Sequence, residues 1–109
     1  MNDNNAASHL VAQTSDIGED EAKQVRIGDL VLAIYNVGGE FYATDDTCTH
    51  AFASLADGYV EDGCIECPLH AGQFEIKTGK AKGIPVTEDI KTYPVRVEGT
   101  DIFGEIPPD

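Results

Sequence analysis

Basic residues are scarce in this 109-residue chain: seven Lys and Arg stand against twenty Asp and Glu, a formal net charge of −13. Such a balance favours solubility and basic partners, and it argues against nucleic acid or an anionic membrane as a target. The shortage is also local. No Lys or Arg occurs between Arg26 and Lys77, a stretch that holds nine acids: Asp29, Glu40, Asp45, Asp46, Asp57, Glu61, Asp62, Glu66 and Glu75. Apolar runs of membrane-spanning length are missing, and the first 22 residues carry neither Lys nor Arg nor the hydrophobic stretch of a signal peptide. Export and anchoring are therefore not expected, and cytoplasm is the default. Cysteine is sparse and odd in number, three in all, which does not suggest a secreted disulfide framework and fits a reducing interior. The length allows one domain with a small core and leaves no room for a separate catalytic lobe, so chemistry must be local and partners external.

No convincing helical period is present either. Met1 to Ser8 is polar and rich in Asn, and reads as a tail, leaving 9–109 as one domain; His9 at its edge reads as an exposed histidine remote from any site. Short β segments follow. Ala22 to Ile27 and Leu30 to Asn36 flank a Gly28-Asp29 turn, and Val37-Gly38-Gly39-Glu40 signals a second hairpin leading into Phe41 to Thr44. Tyr59 to Asp62 and Cys64 to Glu66 form a hairpin around Gly63. Gln73 to Lys77, a Thr78-Gly79-Lys80 turn, Thr92 to Glu98 with Tyr93, Val95 and Val97 on one face, and Ile102 to Ile106 complete the pattern. Many short strands with frequent turns predict an all-β antiparallel sandwich or small barrel.

Against this spare background two motifs stand out. Cys48-Thr49-His50 and Cys67-Pro68-Leu69-His70 each offer one thiolate and one imidazole, with sixteen residues between them. Together they use two of the three cysteines and two of the three histidines. Two Cys and two His can form a structural zinc site, although zinc fingers pair Cys with Cys and His with His, whereas each loop here mixes them. Cys64-Ile65-Glu66-Cys67 also spells C-x-x-C, whose redox use needs a βαβ context that nothing nearby provides. A Cys48–Cys67 disulfide would leave His50 and His70 unexplained.

The C-x-H and C-P-x-H pair resembles that of Rieske-type proteins, with similarity from about residue 8 to 106 and most specific from Asp45 to Phe74. A free-standing chain of this length is similar to the ferredoxin components of bacterial aromatic-ring-hydroxylating dioxygenase systems. The resemblance implies one [2Fe-2S] cluster, with Cys48 and Cys67 on one iron and His50 and His70 on the other, bound through Nδ1. It implies a Rieske-like β base with a small cluster-binding subdomain inserted at about 46–73. It also implies a cytoplasmic electron carrier in aromatic hydrocarbon catabolism, a monomer that is not itself an enzyme. Its expected partners are a flavin-containing NAD(P)H-dependent ferredoxin reductase and a terminal Rieske oxygenase. The alternative is a small Rieske subunit or module of a larger oxidoreductase such as nitrite reductase.

This chain departs from the high-potential members of the family at Ala53, Leu69, Gly72 and Phe74, where those proteins carry a disulfide across the cluster and Ser and Tyr hydroxyls. Fewer donors to the cluster sulfurs lower the potential and point toward the oxygenase class. Phe52, Leu55 and Leu69 are expected to form an apolar collar, and Gly83-Ile84-Pro85-Val86 resembles the loop that covers the cluster. Cys64 is expected to be a thiol outside the ligand set. Asp45, Asp46, Asp57, Glu61 and Glu66 are the expected docking acids.

Overall fold

Tight turns organise the chain. In a computed structural model, which describes residues 7–49, 52–69, 72–82, 86 and 88–107, β1 (Ala7–Gln13) is followed by β2 (Glu21–Ile27), β3 (Leu30–Val37) and β4 (Glu40–Asp45). Successive two-residue loops close β2 onto β3 and β3 onto β4, with Ile27 opposite Leu30 and Val37 opposite Glu40. At the second loop Gly38 and Gly39 both take positive φ, +60° and +94°, the geometry whose twist matches that of paired strands. Next come β5 (Tyr59–Glu61), β6 (Cys64–Glu66) and β7 (Gln73–Glu75), then β8 (Thr92–Tyr93), β9 (Val95–Glu98) and β10 (Asp101–Ile106). Among the described residues the only helical pieces are two single 3-10 turns, Thr14–Asp16 and Leu55–Asp57.

Three antiparallel sheets result, ordered β1-β10-β9, β2-β3-β4-β8 and β5-β6-β7. The middle one has a core on each face. Leu32 and Ile34 of β3 pack with Val11, Ile17, Ala43, Ile102 and Ile106, whereas Ala33 and Tyr35 pack with Cys48, Leu55, Ile65, Cys67, Phe74 and Ile76. This explains the run from Leu30 to Tyr35 in β3, since a strand covered on both sides has no solvent-facing alternate positions; Asn36, also buried, donates to the Ile17 carbonyl and accepts from the Gly39 N–H. Tyr35 carries its hydroxyl into the buried layer and shares a 2.9 Å hydrogen bond with Thr44 Oγ1. Burial pushes its ionisation well above the usual tyrosine range.

Two expectations are corrected. Thr92 to Glu98 is not one strand: Pro94 has no N–H to offer a ladder, so β8 pairs with β4 while β9 pairs with β10 in a different sheet. The Pro94 carbonyl still accepts from the Glu105 N–H at 2.9 Å. Tyr93 is consequently buried while Val97 is 43% exposed, and the expected common face is lost. The amino-terminal strand also starts inside the expected tail, with Ala7 opposite Ile106 and Ser8 opposite Glu105, and places the half-buried His9 opposite Gly104. Residues 1–6 lie outside the described residues. The small β5-β6-β7 unit extends past 73 through a bridge between Phe74 and Ala81.

Because Ile34 and Ile65, both fully buried, belong to different cores, Ile34→Val and Ile65→Val should each cost about 0.5–1.5 kcal/mol. Their losses should add to within about 0.5 kcal/mol in the double variant. Urea unfolding of the four proteins measures this, and strong coupling would show one continuous core instead of two.

Candidate metal centre

Both motif loops are closed by the same device. β4 ends at Asp45, and the chain then leaves the sheet and returns through a bridge between Thr47 and Ser54, with the Cys48 N–H donating to the Ala53 carbonyl at 3.0 Å. At the other loop β6 delivers Cys67, whose N–H donates to the Gly72 carbonyl at 2.7 Å. In each case the cysteine amide reaches the carbonyl five residues on. The two loops thus share a frame despite their different Cys-to-His spacing. The β5–β6 hairpin that presents the second loop turns at Asp62 and Gly63, both at positive φ, +55° and +77°.

The two cysteines meet under these loops. Cys48 and Cys67 are buried, 4% and 1% exposed, and their sulfurs lie within hydrogen-bonding reach of each other. Burial pushes the Cys67 thiol up, the Leu69 backbone N–H donated to its sulfur pulls the other way, and the neighbouring Cys48 pushes it up again. None of the three cysteines is in a disulfide. Burial and the neighbouring sulfur thus favour the protonated Cys67 thiol, and a bound metal would replace its proton while keeping the Leu69 amide as a donor. The donor set therefore fits an iron held by two thiolates. Among the described residues no third His, Cys, Asp or Glu joins the pair, so half-buried Cys64 stands apart from it. His50 and His70 lie outside the described residues.

Around the sulfurs the expected collar divides. Leu55 is wholly buried and belongs to the core, but Phe52 is fully exposed and Leu69 is 46% exposed, so these two project from the loops into solvent. Phe74 is fully buried with no hydroxyl to give. Gly72 is sterically committed: a Cβ there would sit 2.6 Å from Val86 Cγ1. The segment expected as a cover therefore touches the second loop through Val86, while Gly83, Ile84 and Pro85 lie outside the described residues. From the first loop, Thr49 Oγ1 donates to the Glu88 carbonyl at 2.9 Å, which ties that loop to the same segment.

The expected docking acids are also redistributed. Asp46 is 2% exposed and is a structural group, not a surface charge. Asp45 accepts a hydrogen bond from the Tyr93 hydroxyl, and this contact and burial hold Tyr93 above the usual tyrosine range. Glu61 pairs with Cys64 at the turn end of its hairpin. Three strand residues, about 10 Å, separate that end from Cys67. Glu66 is half-buried and accepts from Gln73 Nε2, and Asp57 is exposed. Phe52 and Leu69 are the large apolar side chains that the two loops expose, and composition did not mark them as exposed. Asp46 likewise went unrecognised as a structural group, since its partners come from three separate segments.

The comparisons with known proteins agree with this geometry. A model of the Rieske [2Fe-2S] domain matches residues 7–94. The chain is 51% identical over 94 residues to the 3-phenylpropionate/cinnamic acid dioxygenase ferredoxin subunit of Escherichia coli K12, covering 85% of this chain and 88% of that one. Its fold superposes on a ferredoxin of Sphingomonas yanoikuyae B1 with a TM-score of 0.87 and 40% identity, covering 93% of this chain and all of the other. It also superposes on a chain of the complex of reduced oxygenase and oxidized ferredoxin in carbazole 1,9a-dioxygenase, with a TM-score of 0.86 and 36% identity, covering 94% and 95%.

Gly72→Ser should force Val86 aside and destabilise the protein by about 1–3 kcal/mol. Val86→Ala should be destabilising alone, yet it should restore stability in the Gly72→Ser background. A thermal-unfolding cycle reads the coupling, and simple additivity would show that the contact does not exclude the side chain.

Proposed function

The chain belongs to the Rieske [2Fe-2S] family and is an electron-carrying ferredoxin of the aromatic-dioxygenase kind, not a catalyst; from that premise we propose that Cys48 and Cys67 hold one iron of its single cluster and His50 and His70 the other. The observation that supports this assignment is the pairing of Cys48 and Cys67 sulfurs in one buried site, with Cys64 excluded from it. When bound, a cluster with two thiolates and two neutral imidazoles supplies one-electron chemistry between a formally neutral and a singly negative state, at a potential above that of four-thiolate clusters.

The chain's own residues set the rest. The Leu69 N–H donates to the Cys67 sulfur, and Ala53, Gly72 and Phe74 add no hydroxyl or disulfide donor, so the reduced form gains little further stabilisation. Leu55, Ile65 and Phe74 exclude water from beneath the cysteines. His50 and His70 would ligate as neutral imidazoles through one ring nitrogen, adding no charge to the centre. With these four residues committed, His9 is the only histidine left, and a two-His, one-carboxylate oxygenase site cannot be assembled.

The proposed partners are a flavin-containing NAD(P)H-dependent reductase as donor and a terminal Rieske oxygenase as acceptor. The oxygenase is supported by the ferredoxin–oxygenase complex among the structural relatives. The proposed docking face is the loop tip, where Phe52 and Leu69 project, inside the stretch that lacks Lys and Arg. Among the described residues no helix is long and apolar enough to cross a membrane, and a cytoplasmic monomer is the proposed working state. The aromatic substrate leaves no mark on this chain, since a carrier never touches it.

Replacing Cys48, His50, Cys67 or His70 by Ala should abolish or rearrange the visible absorption, whereas Cys64→Ala should leave it intact. Iron and acid-labile sulfide analysis checks this, and a zinc-only protein would sink the assignment. The reduction potential should lie near the low end of the Rieske range, about −150 mV, and a strongly positive value would break the link to oxygenases. Ferredoxin-dependent cytochrome reduction should slow with added salt, because steering between exposed charges is screened beyond about 8 Å at physiological ionic strength. Asp57→Lys should slow it more than Asp101→Lys, since Asp101 lies on β10 and is engaged by Gln13. Rates indifferent to salt would leave docking to the apolar tip alone.

A further inference from the structure

The acid that precedes the first motif by two residues is the most heavily engaged carboxylate in the described chain. Asp46 is 2% exposed. Its Oδ1 accepts the Ser54 hydroxyl at 2.9 Å and the Ala56 N–H at 3.0 Å, and its Oδ2 accepts Gln24 Nε2 at 2.8 Å. Its backbone is held as well: the Asp46 N–H donates to the Val31 carbonyl at 3.0 Å, and the Asp46 carbonyl accepts from Leu55 at 2.7 Å. Gln24 Nε2 also reaches Ser54 Oγ at 3.3 Å. These groups belong to β2, β3 and both sides of the neck where Thr47 and Ser54 bridge.

We infer that Asp46 is a positioning residue for the cluster: its carboxylate clasps the neck of the first ligand loop and ties it to the edge strand β2, fixing the reach of Cys48. This inference rests on the ligand assignment above. Loop residues 47–54 contain both first-loop ligands but belong to no strand of the three sheets. Without the carboxylate, the loop would be left to its backbone bridge and the Thr49 bond, and the metal bonds would have to supply more of its ordering, at an entropic cost that weakens retention. A carboxylate suits the position because all three of its side-chain partners can donate, and hydrogen bonds to a charged acceptor are the strong ones. The two bonds to Oδ1 close the neck and the single bond to Oδ2 reaches β2, so the two oxygens have separable duties.

That separation allows a decisive experiment on the holo-protein. Asp46→Asn can keep Oδ1 and its two bonds to the neck while losing the charge and the acceptor for Gln24; Asp46→Ala loses everything. The readouts are the rate at which the cluster's absorption is lost to excess chelator and the g-values of the reduced protein by electron paramagnetic resonance. Asp46→Ala should speed loss about tenfold or more, the scale seen when groups supporting metal ligands are removed, with shifted g-values. Asp46→Asn should stay within about threefold of the wild type, and Ser54→Ala should speed loss about threefold, as expected for one bond. Should Asp46→Ala fail to fold, Ser54→Ala against Gln24→Ala still decides, because the neck contact must matter more than the β2 tether. Asn behaving like Ala, Gln24→Ala exceeding Ser54→Ala, or wild-type release and g-values in Asp46→Ala would each overturn the clasp. A wild-type protein without a cluster, or one that keeps it as Cys48→Ala, would instead overturn the ligand assignment.

Discussion

One strand with a core on each face is the constraint on which the molecule turns. Leu32 and Ile34 face the β1-β10-β9 sheet while Ala33 and Tyr35 face the loops that carry the cysteines. Slipping β3 by one residue would exchange the two sets, putting Tyr35 into the space of an isoleucine and removing its hydroxyl from Thr44. Register in β3 therefore fixes the distance between the base of the protein and its metal site. The hairpins on either side, with two-residue loops, leave little freedom for slippage.

The site built above that strand is defined as much by what it withholds as by what it supplies. Two cysteines are buried together, one amide is aimed at a sulfur, the positions that could add hydroxyls are occupied by Gly72 and Phe74, and Ala53 and Leu69 stand where a disulfide could be. Gly72 cannot acquire a side chain without moving Val86, so the missing donor is enforced by packing and is not a vacant option. Each donor withheld leaves negative charge on the reduced centre less compensated. A carrier feeding an oxygenase needs such a potential, low enough to pass its electron onward.

Much of this was legible in the sequence because it rests on local chemistry. Gly28-Asp29, Gly38-Gly39 and Asp62-Gly63 announce turns through residues that tolerate positive φ, and strands on either side must then pair. The C-x-H and C-P-x-H motifs offer a ligand set by residue type alone, and of that set the structure brings Cys48 and Cys67 together, while His50 and His70 lie outside the described residues. What could not be read depends on distant partners. Pro94 was visible, but only the two sheets competing for the strand turn it into a break between them. Asp46 looked like one more surface acid in an acidic stretch, and only the convergence of Gln24, Ser54 and Ala56 makes it a buried group. Phe52 and Leu69 read as collar residues from composition, yet both are exposed among the described residues.

Those two exposed side chains and the acidic balance of the whole chain suit a carrier that must meet a partner and leave it quickly. A net charge of −13 accelerates encounter with a basic face without adding much to the lifetime of the complex, because exposed charge acts mainly on association. Apolar contact acts at short range and lengthens residence in proportion to what it buries. Phe52 and Leu69 together offer little apolar area, far below that of a permanent interface. A larger one would hold the ferredoxin on its donor after the electron had passed and block the next exchange. The tip thus combines fast arrival with a weak hold. The burial that anchors the loops is kept beneath them, in Leu55, Ile65 and Phe74, where it stabilises the site and is not presented to a partner.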